Sequence, residues 1–266
     1  MEYQTLLVEK TPPLVTVTFN RPARLNAFNL EMIQEVMRLC SELREDVDTR
    51  CVIFTGAGRA FSAGIDLSGR GGPPPEDPFP HYTEARMGQL LGHDFMRALE
   101  GLEQITIAAV NGLALGGAFS VCMACDFRIA SENAGFGIPE ANVGLFFTWG
   151  CTPRLVSLIG PAKAKELIMT CDIIDAAEAQ AIGFVNKVVP AERLMETARE
   201  LAAKIISRSP LAIRLTKKIA NAAAAPNIGD LYICEPELVE RLYLSGDPAE
   251  GANAFLEKKK PRFTGR

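Results

Sequence analysis

The sequence predicts an α/β fold with a mainly parallel sheet, followed by a helical C-terminal region. Between residues 14 and 57 a strand pattern, a helix pattern and a second strand pattern follow one another, which requires a crossover connection. From residue 191 onward the chain reads as helices almost throughout. We therefore expect an α/β core over residues 1–195 and a helical region over residues 196–266.

Hydrophobic periodicity defines the first three elements. The stretch "LVTVTFNRP" at 14–22 alternates and is rich in β-branched residues, as a strand is, until Arg21-Pro22 ends it. The stretch "NLEMIQEVMRLCSELRED" at 29–46 places apolar residues at helical spacing behind Asn29, a favourable N-cap residue. The run "RCVIFTGA" at 50–57 is short, apolar and closed by glycine, so it predicts a buried strand.

The segment 69–80, "GRGGPPPEDPFP", is too rich in glycine and proline for regular structure. Because core elements flank it, we expect a surface loop or active-site lid rather than a domain linker. A helix over about 84–101, the strand "ITIAAVNG" and a helix beginning near Gly117 follow. The later predicted elements are two extended pieces in "FRIASENAGFGIPE", a helix in "AKAKELIMT" and a strand in "GFVNKVVP".

The run from Ile105 to Cys125 carries no charge and is nominally long enough to cross a bilayer. Asn111-Gly112 and Gly116-Gly117 interrupt it as turns do, and small residues dilute its hydrophobicity. We therefore interpret the run as a buried strand, a turn and a buried helix, and we expect no membrane partner.

Composition narrows the class of protein. Apolar residues make up 48% and charged residues 23%, which is ordinary for a globular protein. A net charge of −4 without a basic stripe argues against a nucleic-acid partner. Seven cysteines without regular spacing predict reduced thiols, and no secretory signal is visible at the N-terminus. We therefore expect a cytoplasmic protein.

Most familiar catalytic patterns are missing from the sequence. His81 and His93 have no metal-ligand partners at recognisable spacing, so no metal site is predicted. Cys122 and Cys125 form a lone C-x-x-C on an apolar helix, where core packing is favoured over metal or redox work. No G-x-S-x-G and no P-loop lysine is present, whereas a Ser-His-Asp site assembled in space stays open.

Two glycine-bearing turns remain, "AFSAGIDL" at 60–67 and "LALGGAFS" at 113–120, each after an apolar strand. Such a turn exposes backbone N–H groups, and a helix that begins there adds positive potential. Two converging N–H groups would bind a developing oxyanion, and glycine permits the close approach of a substrate carbonyl. Taken on its own, either turn is better explained by tight packing of strand against helix.

The pair of turns belongs to a longer series of motifs. In order, they are "NRPARLNAF", "GAGRAFSAGIDL", "AAVNGLALGGAFSVCMACDFRIAS", "FGIPEANVGL", "GFVNKVVP" and "EGANAFLEKKKPRF". This series resembles the crotonase superfamily, the enoyl-CoA hydratases and isomerases. The resemblance covers about residues 14–263 and implies a spiral core of repeated ββα units followed by a helical trimerisation region.

The resemblance implies catalytic roles for four residues. The backbone N–H groups of Ile65 and Gly117 correspond to the oxyanion hole that polarises the acyl-CoA thioester carbonyl. Family hydratases carry two glutamates, and this chain keeps one of them as Glu140 but has Ser120 at the other position. A serine hydrogen-bonds water but is a poor base, so Glu140 is expected to do the acid/base work alone.

The reaction stays open at this stage. We favour the addition of water to an α,β-unsaturated acyl-CoA or its reverse, with Ser120 orienting water or a substrate hydroxyl. A single carboxylate also suits enoyl-CoA isomerisation, hydratase-lyase action on an aryl-CoA (the "GGAFS" stretch resembles those enzymes) or hydrolysis of a CoA thioester. A catalytically idle structural or RNA-binding family member is the alternative from another class.

A second departure from the hydratases is the stretch "GLFFTWGCTPRL", where Phe146, Phe147, Thr148 and Trp149 replace small residues. Core packing explains it as well as a reshaped acyl pocket does, in which Thr148 contacts Glu140 or the water.

The resemblance also implies CoA contacts and an assembly. No permanent cofactor is expected, because CoA is part of the substrate. The family usually forms homotrimers or dimers of trimers through its C-terminal helices. The implied CoA contacts are Arg24, Leu25, Ala27, Ala63, Asp66, Leu67, Phe255 and Lys258. Asp66 serves equally well as a turn or cap residue.

Overall fold

The structure is a computed structural model that describes residues 3–68, 82–224 and 228–265. The predicted loop at 69–80 and His81 lie outside the described residues. The chain forms two compact units. The first comprises Met1–Ile65, Phe95–Gly137 and Ile173–Ala225, and the second comprises Asp66–Asp94, Ile138–Asp172 and Pro226–Arg266.

Strands and helices alternate along the chain. The strands are β1 Leu6–Thr11, β2 Leu14–Phe19, β3 Cys51–Gly56, β4 Ala60–Ser62, β5 Ile105–Val110, β6 Leu113–Leu115, β7 Phe127–Ser131, β8 Gly135–Gly137, β9 Ile173–Asp175 and β10 Lys187–Val189. The helices are α1 Leu30–Glu45, α2 Tyr82–Glu100, α3 Gly117–Ala124, α4 Cys151–Ile159, α5 Pro161–Thr170, α6 Ala176–Ala181, α7 Leu194–Ile206, α8 Pro210–Ala224, α9 Ile228–Leu244 and α10 Asp247–Leu256.

Two sheets form the first unit. The six-stranded sheet has the order β1-β2-β3-β5-β7-β10, and every pair in it except β1–β2 is parallel. The four-stranded sheet has the order β4-β6-β8-β9, with β9 alone antiparallel. After β3, β5 and β7 of the first sheet, the chain continues into β4, β6 and β8 of the second sheet, which gives the repeated ββα pattern. The predicted α/β class and mainly parallel arrangement are confirmed.

The core of the first unit is apolar and aromatic. All six residues of β5 are buried, as expected for the centre of a parallel sheet covered on both faces. Helix α7 packs against β3, β5 and β7 on one side of the large sheet. Around α3, the ring of Phe119 stacks on Phe184 with centroids 4.2 Å apart, and Phe136 meets Phe184 edge to face.

Most predicted elements occur where the pattern placed them. The side chain of Asn29 accepts a hydrogen bond from the N–H of Met32 at 3.0 Å, so the predicted N-cap of α1 is confirmed. The uncharged run from Ile105 to Cys125 contains β5, β6 and α3. Among the described residues, no helix has the length and apolar character needed to cross a membrane. The division at residue 195 stays a prediction.

Candidate active site

The first glycine turn follows β4 and is hydrogen-bonded to the segment 25–28. The backbone N–H of Ala63 donates to the carbonyl of Leu25 at 2.9 Å, and that of Phe28 donates to the carbonyl of Gly64 at 2.7 Å. Gly64 has a φ of +88°, which L side chains rarely adopt. Glycine is therefore required at this position, and the N–H of Ile65 follows it.

The second glycine turn joins β6 to α3. Gly116 has a φ of +52°, and its N–H donates to the carbonyl of Gly137 in β8 at 3.0 Å. Helix α3 then begins at Gly117, as the sequence predicts. Of its eight residues, seven are buried and none is charged, so the dipole of this helix is poorly screened by water.

The two turns lie against each other. A Cβ atom placed on Gly64 would be 2.5 Å from the carbonyl oxygen of Leu115 and 3.4 Å from the nitrogen of Gly117. Among the described residues, neither the N–H of Ile65 nor that of Gly117 has a hydrogen-bond acceptor. Backbone donors are nearly always satisfied in folded proteins, so two unused ones on adjoining turns can receive an oxygen from a ligand.

Ser120 lies on the first turn of α3 and is 1% exposed. Its hydroxyl donates to the carbonyl of Gly116 at 3.3 Å, which is a long hydrogen bond. The hydroxyl therefore sits one helical turn after the Gly117 donor, in the same buried environment.

Glu140 belongs to the second unit, in a 3-10 helix over Pro139–Val143. Its oxygen Oε2 is buried and has no hydrogen-bond partner among the described residues. Burial disfavours the charged form and raises the pKa of this carboxyl group to about 7. A carboxyl group with that pKa can both accept and release a proton near neutral pH.

The stretch after Glu140 is fixed by contacts that the sequence did not reveal. Trp149 has a left-handed backbone with φ +64°, and a Cβ on Gly92 would lie 2.0 Å from its indole nitrogen. The N–H of Gly150 and the Nε2 of His93 each lie 2.8 Å from Oε2 of Glu235 in α9. The buried His93–Glu235 pair therefore connects α2, this stretch and α9 within the second unit.

An apolar cavity of about 490 Å³ adjoins this stretch in the second unit. Phe146, Thr152, Val156 and Leu238 are among its lining residues. Phe147 is buried in the protein, whereas Thr148 is half-buried. Core packing therefore accounts for Phe147, and a contact of Thr148 with Glu140 or the water stays a prediction.

Comparison with known proteins identifies the family. A family profile described as enoyl-CoA hydratase/isomerase matches residues 9–266. The chain belongs to this family. It is 41% identical to a short-chain-enoyl-CoA hydratase from Clostridium acetobutylicum (98% of this chain, 97% of that one) and 38% identical to a crotonyl-CoA hydratase from Syntrophomonas wolfei (99% of each).

Solved structures agree with the sequence comparison. The crystal structure of an enoyl-CoA hydratase from Mycobacterium avium subsp. paratuberculosis superposes with a TM-score of 0.87 at 28% identity, covering 99% of this chain and 100% of that one. The predicted crotonase fold is confirmed, and the protein is an enzyme of the hydratase/isomerase family.

The candidate CoA residues of the first unit lie together. Arg24 is exposed, Leu25 has a φ of +50°, and Ala27 is buried at 8% exposure. Ala63 contacts them through its hydrogen bond to Leu25. Sequence reasoning missed Asn26. Its side-chain amide donates to the carbonyls of Ala57 and Ala60 at 2.8 Å and so holds this loop against β4. The available signal was the residue type, because asparagine tolerates the left-handed conformation that position 26 adopts.

The remaining candidate CoA residues belong to the second unit. Oδ1 of Asp66 accepts from the N–H of Ser68 at 3.0 Å and from its hydroxyl at 2.5 Å, which is the pattern of a turn residue. Leu67 is half-buried beside it. Phe255 is 61% exposed at the end of α10, and Lys258 is exposed with φ +56°.

Cys122 and Cys125 lie in the core, and the expected absence of a metal site stays a prediction. Cys122 and Cys125 are buried free thiols, and burial raises the pKa of both. No cluster of three or more histidine, cysteine, aspartate or glutamate side chains able to hold a metal occurs in the described part of the chain.

Proposed function

We propose that this enzyme adds water reversibly to a short-chain α,β-unsaturated acyl-CoA. The observation that carries the proposal is the pair of unused backbone donors, Ile65 N–H and Gly117 N–H, on turns packed together through Gly64. The names of the two relatives described above support hydration and a short acyl group.

The chemistry follows from the properties of each group. As a water oxygen bonds to C3 of the enoyl group, electrons move onto the thioester oxygen, and the two N–H groups stabilise that enolate oxygen. The Glu140 carboxylate takes the proton that the water loses. The resulting carboxylic acid then donates a proton to C2 as the enolate collapses. A pKa of about 7 suits this double role, because both forms of the group are populated at neutral pH.

Ser120 has the supporting role in this proposal. Its hydroxyl lies one turn beyond Gly117, and it orients the water or the product hydroxyl without changing its own protonation state. The proposed CoA contacts are those of the Arg24–Ala27 loop, Ala63, Asp66, Leu67, Phe255 and Lys258. The proposal includes a cytoplasmic homotrimer or dimer of trimers that needs no permanent cofactor.

One observation favours a second function, the isomerisation of an enoyl-CoA. A single buried carboxyl group with a pKa of about 7 is sufficient to carry a proton from C2 to C4, and Ser120 occupies the position where family hydratases have a second glutamate. This reaction uses the same two backbone donors for the dienolate.

Parallel assays with three substrates test the proposal. We expect crotonyl-CoA to lose its thioester-enone absorbance, with slower conversion of a 3-enoyl-CoA. Faster conversion of the 3-enoyl-CoA would assign the isomerase, and cleavage of feruloyl-CoA would assign the hydratase-lyase. No turnover of any of the three, together with no CoA binding by calorimetry, would overturn the enzyme assignment for these substrates.

A further inference from the structure

Arg128, in β7, is a buried cation that forms no ion pair with any acid among the described residues. The residue is 6% exposed, and in the described part of the chain no carboxylate lies within ion-pair distance of it. The nearest acid in sequence, Asp126, is already paired with Lys217 at 2.7 Å and accepts from the N–H and hydroxyl of Thr106. Guanidinium groups keep their charge in proteins, so Arg128 carries a net positive charge into the core.

The guanidinium of Arg128 is held by carbonyl groups. One nitrogen donates to the carbonyls of Cys122 at 3.2 Å and Cys125 at 2.6 Å, and Nε donates to the carbonyl of Phe184 at 2.5 Å. Cys122 belongs to the last turn of α3, and Cys125 is its C-cap. The last turn of α3 contains no basic residue, so β7 supplies the cation that the helix C-terminus favours.

The other end of the same helix carries Gly117. Helix α3 has eight residues and is therefore about 12 Å long. Without Arg128, the partial negative charge at its C-terminus would oppose the stabilisation of an anion at Gly117. With Arg128, that end becomes net positive, and because the helix is buried and uncharged, little water screens the effect.

We propose that Arg128 is a positioning residue for the oxyanion turn: its charge at the C-terminus of α3 increases the polarisation of the thioester carbonyl at Gly117. The inference rests on the proposed role of Gly117. At an effective dielectric constant of about 20, a unit charge about 12 Å away changes the rate on the order of tenfold.

Two substitutions separate charge from hydrogen-bond geometry. Arg128→Lys and Arg128→Gln both lose the forked guanidinium, and only lysine keeps the positive charge. Asn186→Ala is the matched control. The Asn186 side chain accepts from the backbone N–H of Arg128 at 2.8 Å, so its loss weakens the same region without altering the charge.

The readout is the red shift of a bound 2,4-dienoyl-CoA, whose absorbance reports polarisation of its carbonyl, together with kcat and KM for crotonyl-CoA. We expect Arg128→Gln to lose much of the red shift and about tenfold in kcat at nearly unchanged KM. Arg128→Lys should keep most of both, and Asn186→Ala should lower thermal stability while keeping the red shift.

Equal losses of red shift in the lysine and glutamine variants, or none in either, would overturn the inference. If Arg128→Gln fails to fold, the comparison of Arg128→Lys with Asn186→Ala decides: a lysine variant that has lost the red shift at equal stability contradicts the role of charge. A wild-type enzyme that binds the dienoyl-CoA without any red shift would instead overturn the proposed oxyanion hole itself.

Discussion

The first unit holds two unused backbone donors on adjoining glycine turns, whereas the second holds a buried carboxyl group with a raised pKa. The donors of Ile65 and Gly117 depend on shape, since Gly64 leaves no space for a Cβ between the two turns. Glu140 depends on its environment, since burial alone raises its pKa to about 7. A substitution in the first turn therefore acts through geometry, and a substitution at Glu140 acts through proton affinity.

The largest loss of activity is expected from Glu140→Gln, because this substitution removes the proposed proton carrier. Glu140→Gln keeps the size of the side chain but cannot exchange the proton, so kcat for crotonyl-CoA should fall by about 10³-fold. Stopped assays monitored by absorbance measure the loss, and calorimetry with a CoA ligand provides the control for intact binding. An activity near that of the wild type would remove Glu140 from the mechanism.

Geometry in the first unit is tested by Gly64→Ala. The new Cβ meets the Leu115 carbonyl at 2.5 Å and forces the turns apart, so kcat should fall by about 10²-fold. Gly183→Ala is the matched control, because its φ of +82° is similar but no atom lies within 4 Å of the added Cβ. It should cost only about 1 kcal/mol of unfolding free energy and leave kcat unchanged. Equal activity losses in both variants would contradict the geometric role.

The environment of Glu140 predicts a pH-dependent gain of stability in Glu140→Gln. A pKa raised from 4.5 to about 7 means that the folded protein resists ionisation, so the wild type loses stability as pH rises from about 4.5 to 7. Glutamine does not ionise, so the variant does not lose stability over this pH range. Chemical denaturation should therefore show the variant more stable by about 3 kcal/mol at pH 8 and by much less at pH 5. The same difference at both pH values would show that the carboxyl group is not destabilised by burial.

The pH dependence of the hydration rate is a second test of the raised pKa of Glu140. In the proposed mechanism the carboxylate form of Glu140 starts the reaction, so kcat/KM should fall about tenfold per pH unit as the pH drops below about 7. Initial rates at substrate concentrations far below KM measure this profile. An inflection near 4.5 instead of 7 would contradict the effect of burial on the group.

Ser120→Ala should have the smallest effect. The hydroxyl makes a 3.3 Å hydrogen bond to Gly116 and only orients the reacting oxygen in the proposal, so kcat should fall by less than about tenfold. A variant as inactive as Glu140→Gln would exchange the roles assigned to the two residues.

The sequence alone was sufficient to predict local features in which the backbone conformation determines the residue type. Gly64 and Gly116 have positive φ angles, so both turns were visible as glycines after apolar strands. Asn29 was recognisable as an N-cap because its side chain accepts a hydrogen bond from an N–H only three residues further along the chain. Short strands such as β4 and β9 were not predicted, because three residues are too few for a periodic signal.

Features that depend on distant partners could not be read from the sequence. The pKa of Glu140 follows from its burial in the folded chain, and the His93–Glu235 pair joins residues that are far from each other in sequence. Arg128 looked like an ordinary strand residue, since nothing in the pattern indicates that it holds the end of α3. Such roles arise from tertiary packing.

The N–H of Ile65 has an evolutionary consequence. A peptide donor cannot be deleted by changing a side chain, and proline is the only encoded residue that lacks it. In the proposed mechanism, drift at position 65 therefore leaves the oxyanion donor intact, while a single codon change at position 120 alters the groups around the reacting carbon. A scaffold that works in this way can acquire a new reaction without first losing its oxyanion donors.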